Sequence, residues 1–204
     1  MATVNKHLEG ASGYKEISKN EKMNMTTVFT EEDGIGCTIM KCTADGLTID
    51  ELKDWYHPDN MMTNINKVES IITGKRMEDH EGYPLIYQHV KTPIMVTNRV
   101  TVYTLYNWEE DGSLLSLSSS LGNEKYVEDH PELVGKNVLC NLKFGYSKIT
   151  PRPEGDGVDV TEMMCIDLCG DLPDFVKSLI SKQNSEITIK TIKHLQKAKG
   201  IAPK

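Results

Sequence analysis

No apolar run in this 204-residue chain approaches the 18 or so residues of a membrane-spanning helix, and the opening stretch MATVNKHLEG lacks the apolar core of a secretory leader. Neither a transmembrane segment nor a leader is therefore expected. Basic residues are outnumbered, 23 Lys and Arg against 30 Asp and Glu, giving a net charge of −7. A nucleic-acid surface would need clustered cations, so no nucleic-acid partner is expected. Signatures of chemistry are equally scarce. The six histidines, His7, His57, His80, His89, His130 and His194, show neither HExxH nor HxH spacing, and none pairs with cysteine at zinc-finger distance. Cys165 and Cys169 stand four apart in a strand-like run, about 13 Å at roughly 3.3 Å per residue, which is too far to chelate one metal. The serines of 116–120 lack the glycine-flanked elbow of a nucleophile. The acids after Pro153, namely Glu154, Asp156 and Asp159, lack the oxygen spacing of a calcium loop. The expectation is a protein with no catalytic residues, no metal and no cofactor. The five cysteines are odd in number and sit mostly in strand-like runs, which reads as free buried thiols in a reducing compartment, hence a cytoplasmic location.

What the chain does contain is 38% hydrophobic residues, enough to build a core, arranged in segments of period 2 separated by turn residues. Residues 23–30 and 35–42 flank Glu31-Glu32-Asp33-Gly34, a hairpin turn. Residues 48–56 (TIDELKDWY) open on an N-cap threonine and carry Leu52 and Trp55 at helical spacing, and a second short helix is expected at 58–62. Strands follow at 68–75, 83–90, 99–108, 113–120, 137–149 and 158–169. Then Gly170-Asp171-Leu172-Pro173 turns the chain into a long helix over 172–197, with Asp171 as N-cap and Pro173 in the first turn. Its stripe is Leu172, Phe175, Val176, Leu179, Ile180 and Ile187, while Ile189, Ile192 and Leu195 fall to the side. Either this helix bends between 182 and 186, or its last turns pack on a different neighbour. Strands without interleaved helices argue against a doubly wound sheet. The fold class expected is α+β: a curved antiparallel sheet of about eight to nine strands wrapped on a long C-terminal helix, with two short helices after the first strands. One domain over 1–204 is the default, with 1–22 partly irregular.

The segment GYSKITPRPEGDGVDVTEMMCIDLCGDLPDF resembles the pattern of START domains, the steroidogenic-acute-regulatory-related lipid-transfer modules of the helix-grip (Bet v 1-like) class. It has their strand, Pro-rich turn, strand ending in Asp-Leu-x-Gly, and x-Leu-Pro opening the last helix. TPIMVTNRVTVYTLYNWEEDGSLLSLSSS is similar to their segment around Arg-Asp and two paired strands, with Val100 in place of the Asp after Arg99. The resemblance runs from about residue 35 to the end. It implies a lipid cavity between sheet and C-terminal helix, with the loop 91–98 and that helix as doors. Sterol-binding members place an acidic and a basic side chain in the cavity. The positions aligned to them, Ile86 and Leu105, are apolar, which argues against a sterol-type anchor there.

The residues expected to line the cavity are Ile86, Arg99, Thr101, Tyr103, Leu105, Leu115, Leu117, Tyr146, Phe175, Val176, Leu179 and Ile180, an apolar wall with a few hydroxyls, as a small-molecule pocket requires. Ile94, Met95 and Val96 form the apolar tip of the gate loop. Loop 121–136 is acidic and reads as solvated surface. The partners implied are a lipid (phospholipid, sterol or fatty acid) and a membrane surface met transiently. Two other classes stand beside this reading: an interaction module of the same fold with a filled core, and a cyclase or hydrolase using Tyr103, His89 and Tyr146.

Overall fold

The computed structural model describes residues 2–10, 13–65, 71–92, 96–153 and 156–201, with backbone alone at 2–4 and 65. Its elements are α1 (Ala2–Gly10), β1 (Lys15–Asn20), β2 (Met25–Glu32), β3 (Ile35–Asp45), α2 (Ile49–Tyr56), α3 (Pro58–Ile65), β4 (Ile71–Arg76), β5 (Leu85–Val90), β6 (Arg99–Glu110), β7 (Ser113–Ser119), α4 (Glu124–Asp129), β8 (Val138–Leu139), β9 (Asn141–Pro151), β10 (Gly157–Asp167) and α5 (Asp174–Ala198). The strands make one ten-stranded sheet in the order β1-β2-β3-β10-β9-β7-β6-β5-β4, with β8 added parallel to β6. Every other pairing is antiparallel, so the expected α+β helix-grip architecture is what the chain adopts.

Local chemistry explains the corners. Asp33 and Gly34 both have positive φ, the geometry that joins twisted strands through two residues, so β2 and β3 meet across the expected turn. Thr48 caps α2 in a full capping box with Glu51. The last corner differs from expectation: α5 starts at Asp174 with Pro173 as its N-cap, and Asp171 lies outside the helix. The turn is made by Cys169 and Gly170, both at positive φ. Asp167 steadies it by accepting the Cys169 amide at 2.8 Å.

Three elements had no counterpart in the sequence reading: α1, β1 and α4. Loop 121–136 is not simply solvated, because α4 and the turn after it bring Val127, Leu133 and Val134 against Leu85, Tyr87, Val100 and Val102 on the outer face of the sheet. Another outer-face cluster, Cys37, Ile39, Leu115, Tyr146, Met163 and Cys165, has Leu8 of α1 packed on it. In that cluster Cys37 and Cys165, directly opposite in register on β3 and β10, are joined as a disulfide. The expectation of five free thiols is therefore corrected to three, Cys42, Cys140 and Cys169. Among the described residues, one group of three could offer metal-ligand atoms, His7, Cys37 and Cys165, and the disulfide takes two of these out of use as thiolates.

On the inner face α5 divides its burial between two clusters. Val176 and Ile180 pack with Met61, Met62, Ile86, Tyr103, Leu105 and Leu142. Ile189 and Ile192 pack with Met25, Met40, Leu52, Leu114, Ile149 and Val160, with Leu195 alongside. The helix is continuous, and its last turns meet a different neighbour, the second of the two alternatives that its sequence allowed.

Candidate functional site

Between these clusters the middle turns of α5 carry Asn184, Thr188 and Thr191 beside Ile187, and there the helix does not fill the concavity of the sheet. A cavity of about 240 Å³ results. Interiors are ordinarily packed with few voids larger than a water, so a space of this size reflects the choice of side chains around it. Trp55, Tyr56 and Met61 close it from α2 and α3, and Arg99, Thr101, Tyr103, Leu105 and Asn107 line it from β6. From β7, β9 and β10 come Ser116, Ser118, Gly145, Ser147, Glu162, Met164 and Ile166. Gly145 lies against the Ser118 hydroxyl, which would have to turn aside for a Cβ at this position.

The sequence-expected residues separate by strand parity. Arg99, Thr101, Tyr103 and Leu105 share the inner face of β6 and line the cavity together with Ile180 of α5. Ile86 and Val176 lie in the adjoining inner cluster, fully or nearly fully buried behind the wall. Leu115 and Leu117 are corrected: they point to the opposite face, Leu115 into the outer cluster and Leu117 to solvent. In SLLSLSS either phase of alternation presents leucine, and pairing with β9 puts Ser116 and Ser118 inward instead. Tyr146 borders the cavity but packs in the outer cluster, its neighbours Gly145 and Ser147 taking the inner positions. Phe175 and Leu179 are also corrected, being 72% and 45% exposed on the solvent side of α5. Of the gate loop, Ile94 and Met95 lie outside the described residues, while Val96 is half-buried and packs on the cluster holding Val176 and Ile180. The catalytic trio is not assembled, because His89 follows Leu85 and Tyr87 on the outer phase of β5, away from the cavity that Tyr103 and Tyr146 border.

Arg99 is buried, and its role is plain from its partners. Nε donates to the Leu168 carbonyl at 3.4 Å, Nη2 to Cys169 at 3.2 Å and Nη1 to Thr97. The guanidinium ties β6 to the corner that launches α5. Beside it the Cys140 thiol donates to the same Leu168 carbonyl, and burial pushes that thiol up to about 12. Tyr103, also buried, has its phenol raised by desolvation and donates to Gln88 Oε1 at 3.4 Å.

Glu162 is the residue the sequence reading missed. Its carboxyl is buried, the surface it retains being cavity wall, and desolvation holds it above the ordinary glutamate range. Thr188 Oγ1 donates to Oε2 at 2.6 Å and Tyr56 OH to Oε1 at 3.5 Å, both of which moderate the rise. Burial, followed by the Glu162 charge, lifts the Tyr56 phenol and the Cys42 thiol in turn. The signal was available: Glu162 lies two residues from Val160 and Met164, on the inward phase of an apolar strand.

No protein-family sequence model matches the chain, and no curated protein matches it in sequence. Solved structures do. Human STARD10 superposes with a TM-score of 0.71 at 13% identity, over 94% of this chain and 76% of that one. Human StAR-related lipid transfer protein 5 gives 0.69 at 15%, over 96% and 95%. A STAR-related lipid transfer protein from Xanthomonas axonopodis gives 0.62 at 14%, over 90% and 99%. At these identities the likeness speaks for the fold, and the fold of this chain is the START-type helix grip.

Proposed function

We propose that this protein is a non-enzymatic START-like carrier or sensor, a single domain that holds one lipid or other apolar molecule in the cavity under α5. The observation that carries this reading is the cavity itself, a partly open space under α5 with a mostly apolar wall and a few polar groups. Its volume of about 240 Å³ falls below the roughly 300–1,000 Å³ of drug-sized pockets. A slim ligand such as a single chain therefore fits without rearrangement, and a two-chain phospholipid needs the helix to move. Burying an acyl chain is worth about 0.8 kcal/mol per CH2, and a bilayer offers the same stabilisation, so exchange with a membrane is nearly balanced. Transient membrane contact through the 91–98 loop and α5 and no nucleic-acid partner belong to this proposal, as does a cytoplasmic location, although the Cys37–Cys165 disulfide takes away the thiol argument for it. Among the described residues no helix is long and apolar enough to cross a membrane.

Native mass spectrometry of the purified protein, followed by organic extraction, tests it. A stoichiometric adduct of lipid mass is expected; failure of both co-purified and added lipids to bind would remove the carrier reading. A second reading, a protein-interaction module, draws support from one feature outside the cavity. Tyr83 and Tyr106 are 46% and 50% exposed, and Tyr106 stacks on Trp108 at 5.3 Å, forming an aromatic ladder beside Pro84 and Pro58.

A further inference from the structure

One row of the inner sheet is polar from strand to strand. Register puts Asn107 opposite Ser116, Ser116 opposite Ser147, and Ser147 opposite Glu162, so four residues on β6, β7, β9 and β10 form a line across the cavity wall. The next row on one side, Leu114, Ile149 and Val160, is apolar core. A polar line at this depth costs desolvation unless something uses it.

Acceptors outnumber donors along the line. Glu162 receives Thr188 and Tyr56, yet an ionised carboxylate can accept about four hydrogen bonds. Asn107 donates its amide N–H to the Tyr56 carbonyl at 3.2 Å, which leaves its Oδ1 buried with no partner among the described residues. The serine hydroxyls can turn either way. Arg99 is the one cation among the described residues of the wall; three of its five N–H donors go to backbone carbonyls, and it stands at the far end of β6 from Asn107.

We propose that this row seats the polar end of the bound molecule, and that this end is a hydrogen-bond donor, an alcohol or an amine, rather than a carboxylate or phosphate. The inference rests on the carrier reading and adds the ligand class. A donor head satisfies the Asn107 oxygen at one end of the row or the spare lone pairs of Glu162 at the other, three strand spacings of about 4.8 Å apart. An anion there would meet an acidic group in a low-dielectric space with no free cation beside it. The site also differs from a sterol-type pair on β5 and β6, whose aligned positions are Ile86 and Leu105. Alcohol and amine share the donor chemistry and differ in charge: a neutral Glu162 suits the alcohol, and an ionised one suits the ammonium, with the Trp55 and Tyr56 rings in the same wall.

The test uses four probes of equal chain length, dodecane, dodecan-1-ol, dodecylamine and dodecanoate, each competing against the neutral fluorophore N-phenyl-1-naphthylamine. Wild type should bind the alcohol or the amine at least about tenfold more tightly than dodecanoate, as one net hydrogen bond near 1.4 kcal/mol gives. Glu162→Gln should remove any preference for amine over alcohol, and Asn107→Leu should weaken the alcohol several-fold relative to dodecane bound by the same variant. Melting curves identify a variant that fails to fold, in which case Thr188→Val replaces Glu162→Gln. If dodecanoate binds as well as the donors, or the head-group order survives both variants, the row is not the seat, although the cavity reading stands. If neither the fluorophore nor dodecane binds at all, both fall.

Discussion

At the scale of single residues, Glu162 makes the sharpest claim about stability. Its folded-state pKa is raised by burial, so the folded chain holds this proton more tightly than the unfolded chain does. The sign follows: the side chain favours the fold most below the unfolded carboxyl value of about 4.3, and that advantage is lost as pH rises through the raised folded value. Glu162→Gln, which keeps the shape and cannot ionise, should therefore melt with wild type near pH 4 and above it near pH 8. An advantage of about 1–3 kcal/mol, the usual cost of a buried polar group short of partners, means several degrees in a chain of this length. A difference independent of pH would show that the carboxyl is solvated. Arg99 makes the complementary claim. Removing it leaves the carbonyls of Thr97, Leu168 and Cys169 without their donor, so Arg99→Met should cost about 2–4 kcal/mol in a urea titration, and Arg99→Lys should recover little because the fork geometry is lost. Lipid affinity lost with no change in stability would return Arg99 to the ligand site. Both residues bear on what a sequence can reveal. Arg99 was legible through the motif around it, whereas Glu162 hid at the head of the run EMMCI because a strand read for its hydrophobic phase conceals the one acid that shares it.

At the scale of elements, α5 decides whether there is a cavity. Its ends are apolar and packed on separate clusters, while Asn184, Thr188 and Thr191 face the space between them. The sequence displayed this as a stripe that loses its phase after Ile187, where Ile189, Ile192 and Leu195 turn to the second cluster. Thr191→Leu with Asn184→Leu should fill part of the cavity, leave the melting temperature equal or higher, and weaken binding of the fluorophore at least tenfold. Binding that survives both leucines would put the ligand elsewhere. The strands were legible to within a few residues because period 2 is strong from β2 to β10. Their facing was less so: with leucine at 114, 115 and 117, only the partner strand fixes which phase is inward. The elements α1, β1 and α4 escaped because each lends few apolar side chains to a neighbour and carries no period of its own.

At the scale of the whole molecule, α5 is held unevenly. Its C-terminal end is tied to the β3–α2 connection, Gln196 donating to the Asp45 carbonyl at 2.9 Å and Lys199 to that of Gly46 at 2.7 Å. Its N-terminal half has the Lys177–Glu31 ion pair at 2.5 Å and one link to the loop after β5, Gln183 donating to the Lys91 carbonyl at 2.6 Å. The ion pair is a surface bond of small worth, and the other link is exposed. Opening therefore costs least at the N-terminal half, where Phe175 and Leu179 already stand in solvent one turn apart. On the proposed membrane contact, these two large exposed apolar side chains make the start of α5 the expected point of docking and opening. Phe175→Ser with Leu179→Ser should slow vesicle-to-vesicle transfer of a fluorescent lipid by about tenfold while leaving the melting temperature within a degree or two, because exposed side chains contribute little to folding. Fluorophore binding in solution should be unaffected, which separates loss of docking from loss of the cavity. A transfer rate equal to wild type would mean that the membrane is met by another surface and that the start of α5 is not the door.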